Sequence, residues 1–463
     1  MLSANQTSDY MTDWATGIFG KEHAAEIAEL VSKYSKYNLM RKPEVQDPSI
    51  FSFVNYHEAE KVQKRWQDLT ARAEALEKEM PKEALDAYYQ LVLYPVKASA
   101  GVAEIYLAAG RNNLYAKQGR VSANDYANRA RELFELDKKL STRYNDSIAG
   151  GKWKNMMSDV HLGYQHWSMP KENSLPPLDE VTLLASPSLG VAVEGSTNAW
   201  PGTEGKAELP QFDILDKQHY YIDIFNRGKG LLNFTAKADK PWIRLSNAKG
   251  STETEQHLYV DIDWKKAPEG KGSGLIEINQ NNTKVPVVIN TLKKVTPAGK
   301  TDYYGGFSGE FSIPANKFSL KIAGDNAEWI VLPGLGRAEA CMGIYPTTAP
   351  SSTPEKTPRL EYQIFLPESG STTVLLGILP TQDNNPGGGL RIAVSIDNGD
   401  PVILDARKGY HDEFKEYTAE NLSRSKNLKP LPDFGHNYAL ISREKPRRTE
   451  VFDNQRCWMQ HWM

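Results

Sequence analysis

The chain has 463 residues, of which 40% are hydrophobic and 24% charged, and its formal net charge at pH 7 is only −3; this length predicts several folded domains. The nearly balanced charge without a basic block argues against a nucleic-acid partner, and no apolar run is long enough to indicate a membrane partner. Two cysteines, Cys341 and Cys457, are too few for a disulfide framework or a closed zinc site, and the first residues lack signal-peptide features, which leaves the compartment open.

Residues 1–170 are predicted to form a bundle of α-helices with short connections. One helix is predicted by apolar residues at alternating spacings of four and three, which share one helix face; they are Val62, Trp66, Leu69, Ala73, Leu76 and Met80. An earlier helix is predicted over about residues 22–37, and a later one from Pro81 with a kink near Pro95. Gly110 is predicted to cap the C-terminal end of that later helix.

The next helix is predicted to follow residues 122–125, which resemble a capping box with aspartate in place of glutamate. The helical pattern ends at Pro170, and proline-rich segments up to about residue 185 indicate a linker. From 185 to 298 the hydrophobic period is two, as in a β-strand. Leu258, Val260, Ile262 and Trp264, for example, share one face of a predicted strand. Recurring turn signals favour an immunoglobulin-like β-sandwich in this region.

A second sandwich, of jelly-roll type, is predicted over residues 303–463, with an incomplete C-terminal end. Alternating residues support it in two stretches, 362–366 and 390–396, and an Asn-Gly hairpin signal follows at 398–399. The predicted fold class is therefore a multidomain α + β protein. An N-terminal α-helical bundle precedes two β-sandwich domains.

Polar and aromatic side chains crowd the segment 110–167, close to the predicted helix ends. Their rings can stack on sugars, and an arginine can hold a carboxylate through two hydrogen bonds. We therefore predict one wall of a sugar-binding pocket, completed by another domain. The alternative is hydrogen bonding at helix ends and packing between helices. The candidate substrate-binding residues are Arg111, Asn112, Tyr115, Arg120, His161, Tyr164 and Trp167.

Motifs for other chemistry are not found. The chain has no phosphate-binding loop, dinucleotide fingerprint, HExxH motif or GxSxG elbow. His161 and His166 are five residues apart, which is a poor spacing for metal binding on a helix. Glycoside hydrolysis uses two carboxyl groups, but no acidic pair is singled out by its spacing. No catalytic residue, metal or cofactor is therefore predicted.

Several short stretches together resemble glycoside hydrolase family 115, the xylan α-1,2-glucuronidases. They occur in order along nearly the whole chain and include Asn-Tyr at 55–56, Ala-Gly-Arg-Asn at 109–112, Gln-Gly-Arg at 118–120, Gly-Lys-Trp at 151–153, His-Leu-Gly-Tyr at 161–164, Gly-Leu-Gly-Arg at 334–337 and Phe-Asp-Asn at 452–454. The resemblance implies an inverting hydrolase that removes glucuronic or 4-O-methylglucuronic acid from xylan. It also implies an N-terminal α/β domain and a catalytic barrel ahead of the helical domain.

This chain is expected to begin after that barrel, because its helical residues cannot hold a set of strand–helix repeats. The family's catalytic carboxylates therefore have no counterparts here. Two departures from the family pattern are noted. Residues 312–318 lack the acidic pair of a Glu-Ala-Glu triplet, which argues against a calcium or sugar site there. The sequence after Asn454 does not match the expected closing strands, so an exposed sheet edge is predicted.

The first hypothesis is the C-terminal part of a family 115 α-glucuronidase, inactive by itself; the compartment is unknown, and a secreted or periplasmic parent is left open. Its expected partners are xylan or glucuronoxylan oligosaccharides and its own N-terminal barrel domain, and a homodimer is left open. A non-catalytic carbohydrate-binding protein is the second hypothesis, because tandem sandwiches accompany 22 tyrosines and 10 tryptophans. The third hypothesis is a dimerisation module.

Overall fold

The chain is an α + β protein with helices in its N-terminal part and sheets after them. The computed structural model describes residues 4–43, 46–164, 170–215, 218–294, 303–304, 312–336, 340–365, 372–379, 390–397, 399–405, 437–443 and 455–462. Contacts divide the chain into two units. The first unit holds residues 1–212 and 218–291, and the second holds 213–217 and 292–463. The predicted helical bundle and first sandwich therefore share one unit, while the three-domain boundaries stay a prediction.

The helical part combines long α-helices with short segments of helix. The α-helices are α1 (Ala4–Phe19), α2 (Ala24–Met40), α3 (Glu58–Glu77), α4 (Leu85–Tyr88), α5 (Tyr94–Gln118) and α6 (Ala123–Thr142). Two π-helical segments, Tyr89–Leu93 and Arg143–Ser147, and two 3-10 segments, Lys82–Ala84 and Ile148–Gly151, lie between or after them. The predicted helix over about residues 22–37 corresponds to α2.

The core of the bundle is built from the predicted apolar face of α3 and from aromatic residues of the α4–α5 region. Trp66, Leu69 and Ala73 are buried in the same cluster as Tyr88 and Tyr89. Each tyrosine hydroxyl donates to a backbone carbonyl, that of Tyr88 to Ala73 and that of Tyr89 to Leu140, both at 2.9 Å. These bonds offset the cost of burying a polar group.

The helix-end predictions need correction. Helix α5 continues eight residues past Gly110 to Gln118, and its C-terminal cap is Gly119, with φ +72°. The distortion expected at Pro95 lies just before it, in the π-helix Tyr89–Leu93. A proline supplies no N–H for the helical ladder, and π-helical turns are one way to absorb such a break.

In the described residues, one helical stretch, Lys82–Gln118, is long and apolar enough to cross a membrane. No apolar run of that length was predicted from the sequence. The apolar window within it is 61% buried inside the protein. This is weak evidence for a membrane span, because the core helix of a soluble protein meets the same criteria.

Two sheets follow in the first sandwich region. Their strands are β1 (Leu189–Val193), β2 (Ala207–Glu208), β3 (Phe212–Asp213), β4 (Tyr220–Asn226), β5 (Leu232–Ala238), β6 (Ile243–Leu245), β7 (Lys249–Thr252), β8 (Glu255–Ile262), β9 (Gly270–Gln280) and β10 (Thr283–Lys293). One sheet has the order β1-β4-β8-β6 and the other β2-β10-β9-β5-β7, with β3 paired to β10.

The two sheets share one apolar core. Ile222 and Val260 of the first sheet are fully buried in the same cluster as Ile276 and Val287 of the second. The alternation predicted for β8 is present, because Leu258 and Val260 are buried while His257 faces outward. The outer face of the first sheet therefore carries the polar residues of β4 and β8. The immunoglobulin-like topology stays a prediction.

The second unit contains further strands in several sheets. They are β11 (Tyr303–Tyr304), β12 (Leu320–Ile322), β13 (Glu328–Pro333), β14 (Ala340–Tyr345), β15 (Arg359–Phe365), β16 (Thr372–Ile378), β17 (Arg391–Ile396), β18 (Val402–Asp405), β19 (Asn437–Arg443) and β20 (Gln455–Trp462). The largest sheet has the order β11-β15-β20-β17-β18, with β12 paired to β15. The other pairs are β13 with β14 and β16 with β19. The jelly-roll topology stays a prediction.

The tail of the chain corrects a prediction. Residues Gln455–Trp462, which do not match the expected closing strands, form β20 in the middle of the six-stranded sheet of the second unit. This strand is antiparallel to both neighbours, β15 and β17, and pairs with each over six residues. No exposed edge exists at this position of the sheet, because both sides of β20 are hydrogen-bonded.

Candidate functional site

The candidate site lies where the end of α5 meets the outer face of the β1-β4-β8-β6 sheet. Its centre is a set of side chains that we call the junction cluster: Tyr115, Arg120, Asp223, Glu255 and His257. Glycine in the left-handed region ends the helix at residue 119. The chain then reaches the sheet, and the N–H of residue 121 donates to the carbonyl of residue 226 at 3.0 Å.

Arg120 is the most buried charge of the cluster, with 1% of its surface exposed. Its Nη2 donates to Asp223 Oδ2 at 2.8 Å, and its Nε donates to Gln118 Oε1 at 2.6 Å. The guanidinium also lies over two rings, 4.0 Å from the centroid of Tyr115 and 4.3 Å from that of Phe225. Nη1 has no hydrogen-bond partner. The ring faces therefore supply part of the stabilisation through cation–π attraction.

Asp223 also contacts the imidazole of His257. His257 Nδ1 lies 2.7 Å from Asp223 Oδ1, on the side away from Arg120 Nη2. Burial alone would raise the pKa of Asp223, but the charge of Arg120 and the hydrogen bond from His257 outweigh it and lower that pKa. The hydrogen bond to Asp223 raises the pKa of His257 above its ordinary value. The guanidinium of Arg120 and the imidazole of His257 therefore both stabilise the ionised form of this carboxylate.

Two carboxyl groups beside the cluster behave in the opposite way. Burial raises the pKa of Glu255, although a hydrogen bond from Ser122 opposes the shift. Burial also raises the pKa of Glu194, which accepts a hydrogen bond from the Tyr221 N–H at 3.3 Å. Carboxyl groups with raised pKa values in a partly enclosed site are candidates for function, although structural networks produce the same shifts.

Ser122 shows why the predicted capping box does not form. Its backbone is helical, with φ −68°, and its side chain makes no hydrogen bond to the start of α6. The hydroxyl instead donates to Glu255 Oε2 at 2.5 Å. A residue read as a local helix cap therefore connects the bundle to strand β8.

Arg111 and Asn112 lie inside α5, not at a helix end. Asn112 is fully buried and donates to the carbonyls of Ala123 and Asp179, both at 2.8 Å, while its own oxygen accepts from the Asp179 N–H. Arg111 Nη2 donates to Glu60 at 2.8 Å, and its guanidinium lies 5.1 Å from the ring centre of Tyr126. Together with Arg120, these residues make hydrogen bonds and packing contacts within the protein. Such contacts were the alternative to a sugar-binding role.

The other predicted residues contact a different part of the bundle. His161 Nε2 lies 2.8 Å from Asp137 Oδ2 on α6, and the Tyr164 hydroxyl donates to the carbonyl of Val160 at 3.2 Å. Both residues lie after the last helical segment, in a stretch without regular structure. Trp167 lies outside the described residues. The structure thus brings Arg111, Tyr115 and Arg120 together but places His161 and Tyr164 elsewhere.

The pair of His161 and Asp137 predicts a pH-dependent stability. A hydrogen bond to Asp137 raises the pKa of His161 despite its burial. The resulting stabilisation is complete below the unfolded pKa of about 6.5 and is lost as pH rises through the higher folded value. Replacing His161 with glutamine should therefore cost about 1 kcal/mol at pH 5.5, after allowing for solvent screening, and less at pH 8.5. Urea denaturation at both pH values measures this difference, and an equal cost at both would contradict the prediction.

Sequence reasoning missed Asp223, Glu255 and His257. Asp223 lies between the buried Ile222 and Ile224, and His257 precedes the buried Leu258, so both point away from the apolar core, while Glu255 is two residues before His257 on the same strand. The sequence signal that could have found them is a charged residue midway along a predicted strand, because its side chain faces whatever covers that side of the sheet. In the described part of the chain, no group of three or more His, Cys, Asp or Glu side chains could hold a metal ion.

Two family models match separate parts of the chain: the glycosyl hydrolase family 115 C-terminal domain over residues 307–425, and glycosyl hydrolase family 115 over residues 1–45. No protein with a curated description matches the chain. A solved family GH115 4-O-methyl-α-glucuronidase with specificity for decorated arabinogalactans is 13% identical, with a TM-score of 0.48, over 98% of this chain and 39% of that one. This chain therefore spans about two fifths of the length of that enzyme.

Two other solved structures are less similar. A Bacteroides ovatus GH5 xyloglucanase in complex with a heptasaccharide is 13% identical, with a TM-score of 0.17, over 24% of this chain and 20% of that one. A calcium-binding mutant of Bacteroides uniformis β-glucuronidase 2 is 10% identical, with a TM-score of 0.21, over 60% of this chain and 28% of that one.

Proposed function

We propose that this chain, which belongs to glycoside hydrolase family 115, forms part of a glucuronidase. The observation that carries the proposal is the match of family models to two separate segments, residues 1–45 and 307–425. The reaction would be hydrolysis of the bond that joins glucuronic acid, or its 4-O-methyl form, to a polysaccharide. We propose α-1,2-linked substituents of xylan as the substrate, on the strength of the sequence resemblance.

The described residues offer no alternating array of strands and helices from which a catalytic barrel could be built. We therefore propose that the carboxyl groups that cleave the substrate lie outside this part of the chain. The helical bundle and the sheets would support the catalytic domain, either directly or through contact with a second copy. Of the predicted sugar-binding residues that the structure describes, Arg111, Tyr115, His161 and Tyr164 are partly exposed, and His161 and Tyr164 lie outside the packed junction cluster. Asn112 and Arg120 would hold the wall in place from within.

The activity is tested in two forms of the protein. The purified 463-residue chain, incubated with aldouronic oligosaccharides, is expected to release no uronic acid. The product of the complete reading frame that contains it is expected to release 4-O-methylglucuronic acid from glucuronoxylan. Chromatography of the released acid measures both. Release by the chain alone would contradict the location of the catalytic groups, and no release by the complete product from glucuronoxylan or decorated arabinogalactan would contradict the function.

A further inference from the structure

A row of aromatic and imidazole rings crosses the outer face of the β1-β4-β8-β6 sheet. This ring row consists of His57, Tyr221, His257, Tyr259 and His219, in the order of their contacts. Neighbouring ring centres are 4.5–5.9 Å apart, and the rings of His219 and Tyr259 are stacked, with 14° between their planes. Alternation along β4 and β8 accounts for the four rings at 219, 221, 257 and 259, because residues two apart on a strand point to the same face, and His57 joins the row from the start of α3.

The ring row is partly open to solvent at one end. About half of the His219 and His257 side chains is exposed, whereas Tyr221 is buried beneath its neighbours. Asp261 is equally exposed and lies 2.6 Å from Nδ1 of His219. The open end, formed by His219, Tyr259, His257 and Asp261, thus combines ring surfaces with hydrogen-bonding groups, whereas the other end is anchored in the bundle.

The surface chemistry favours one class of ligand. Stacked rings with amphipathic edges suit the apolar faces of sugar rings, and carboxylate and imidazole groups suit their hydroxyls. The exposed carboxylate of Asp261 and the nearby Glu194 would repel a uronate or a phosphate, whereas Glu60 is already paired with Arg111. The nearby guanidinium of Arg120 is buried and already bonded to Asp223. An uncharged sugar chain therefore fits this surface better than an anionic one.

We propose that the open end of the ring row binds the uncharged backbone of the polysaccharide from which the uronic acid is removed. This inference rests on the proposed function for the identity of the polysaccharide, and on the ring row for the site. It separates two tasks, since the acidic substituent would be recognised elsewhere, away from the carboxylate of Asp261. Binding of the backbone here would keep the enzyme on its polymeric substrate between cleavage events.

The experiment uses calorimetric titration of the purified chain with neutral xylo-oligosaccharides and with aldouronic oligosaccharides of the same backbone length. The wild-type chain is expected to bind the neutral series at least as tightly as the acidic one. Tyr259→Ala should weaken binding by about tenfold, which corresponds to about 1.4 kcal/mol of lost stacking. Asp261→Asn, which keeps the side-chain shape, should weaken it less. Tyr10→Ala, at a 62% exposed tyrosine on α1, is the matched control and should bind as the wild type does.

Far-ultraviolet circular dichroism shows whether the Tyr259→Ala chain is folded, and Asp261→Asn together with His219→Ala tests the site if it is not. The proposal is overturned if the wild-type chain binds no neutral oligosaccharide at millimolar concentration, if it binds only the acidic series, or if the ring-row variants bind as Tyr10→Ala does. Failure of the proposed function has a different signature. The complete protein would then release no uronic acid, while the chain would still bind the neutral oligosaccharides through the ring row.

Discussion

Replacing Asp223 with alanine is expected to lower the free energy of unfolding by about 3–5 kcal/mol. The change leaves the guanidinium of Arg120 buried, with its anionic partner removed and its Nη1 already without a hydrogen bond. It also removes the partner of His257. A buried charge without a counterion is much more costly than the pair itself is stabilising, because water no longer solvates it.

The double variant Arg120→Met and Asp223→Leu should recover most of this loss, since it removes both charges and fills the space with apolar atoms. Lys64→Ala breaks a pair with Asp68 in which both side chains are mostly exposed, and it should cost less than about 0.5 kcal/mol. Urea denaturation gives the stabilities, and hydrogen exchange of the β4 amides reports on this unit specifically. A cost for Asp223→Ala no greater than that for Lys64→Ala would show that the junction cluster is not a buried ion pair in solution.

Replacing Gly110 with alanine is expected to destabilise the protein by about 1–3 kcal/mol, against the usual preference for alanine in helices. A Cβ atom at this position would lie 2.0 Å from the carbonyl oxygen of Pro48 and 2.7 Å from the ring of Phe53. The segment that contains Pro48 and Phe53 must therefore move away from α5. That segment also joins the bundle to the first sandwich, because the carbonyl of Val54 accepts a hydrogen bond from the Gly195 N–H at 2.7 Å.

Gly101→Ala is the matched control in the same helix. Nothing lies within 4 Å of a Cβ atom at Gly101, so only helix propensity changes and the variant should be more stable by about 0.5–1 kcal/mol. Thermal or urea denaturation of both variants measures the two effects. Opposite signs are expected. Stabilisation by both substitutions would mean that the loop yields without cost and that Gly110 has no packing role.

The sequence by itself determined the type and approximate place of the regular elements. The apolar spacing from Val62 to Met80 predicts the buried face of α3, and the alternation at Leu258 and Val260 predicts the inner face of β8, as the structure has them. These patterns are local, because each arises from the geometry of one helix or one strand. The short stretches that resemble family 115 are also local, and the family models support that assignment.

Only the tertiary structure decided what the singled-out residues contact. Arg120 and Asp223 are 103 residues apart, and Ser122 and Glu255 are 133 residues apart. Their pairing depends on how the end of α5 is packed against a sheet, which no spacing in the chain encodes. Gly110 was predicted to be a helix cap because glycine often ends helices, yet it is required where a loop crosses the middle of α5. Strand β20 likewise takes its place from two partners distant in sequence. Local periodicity thus predicts elements, whereas the contacts between elements depend on the packing of the whole unit.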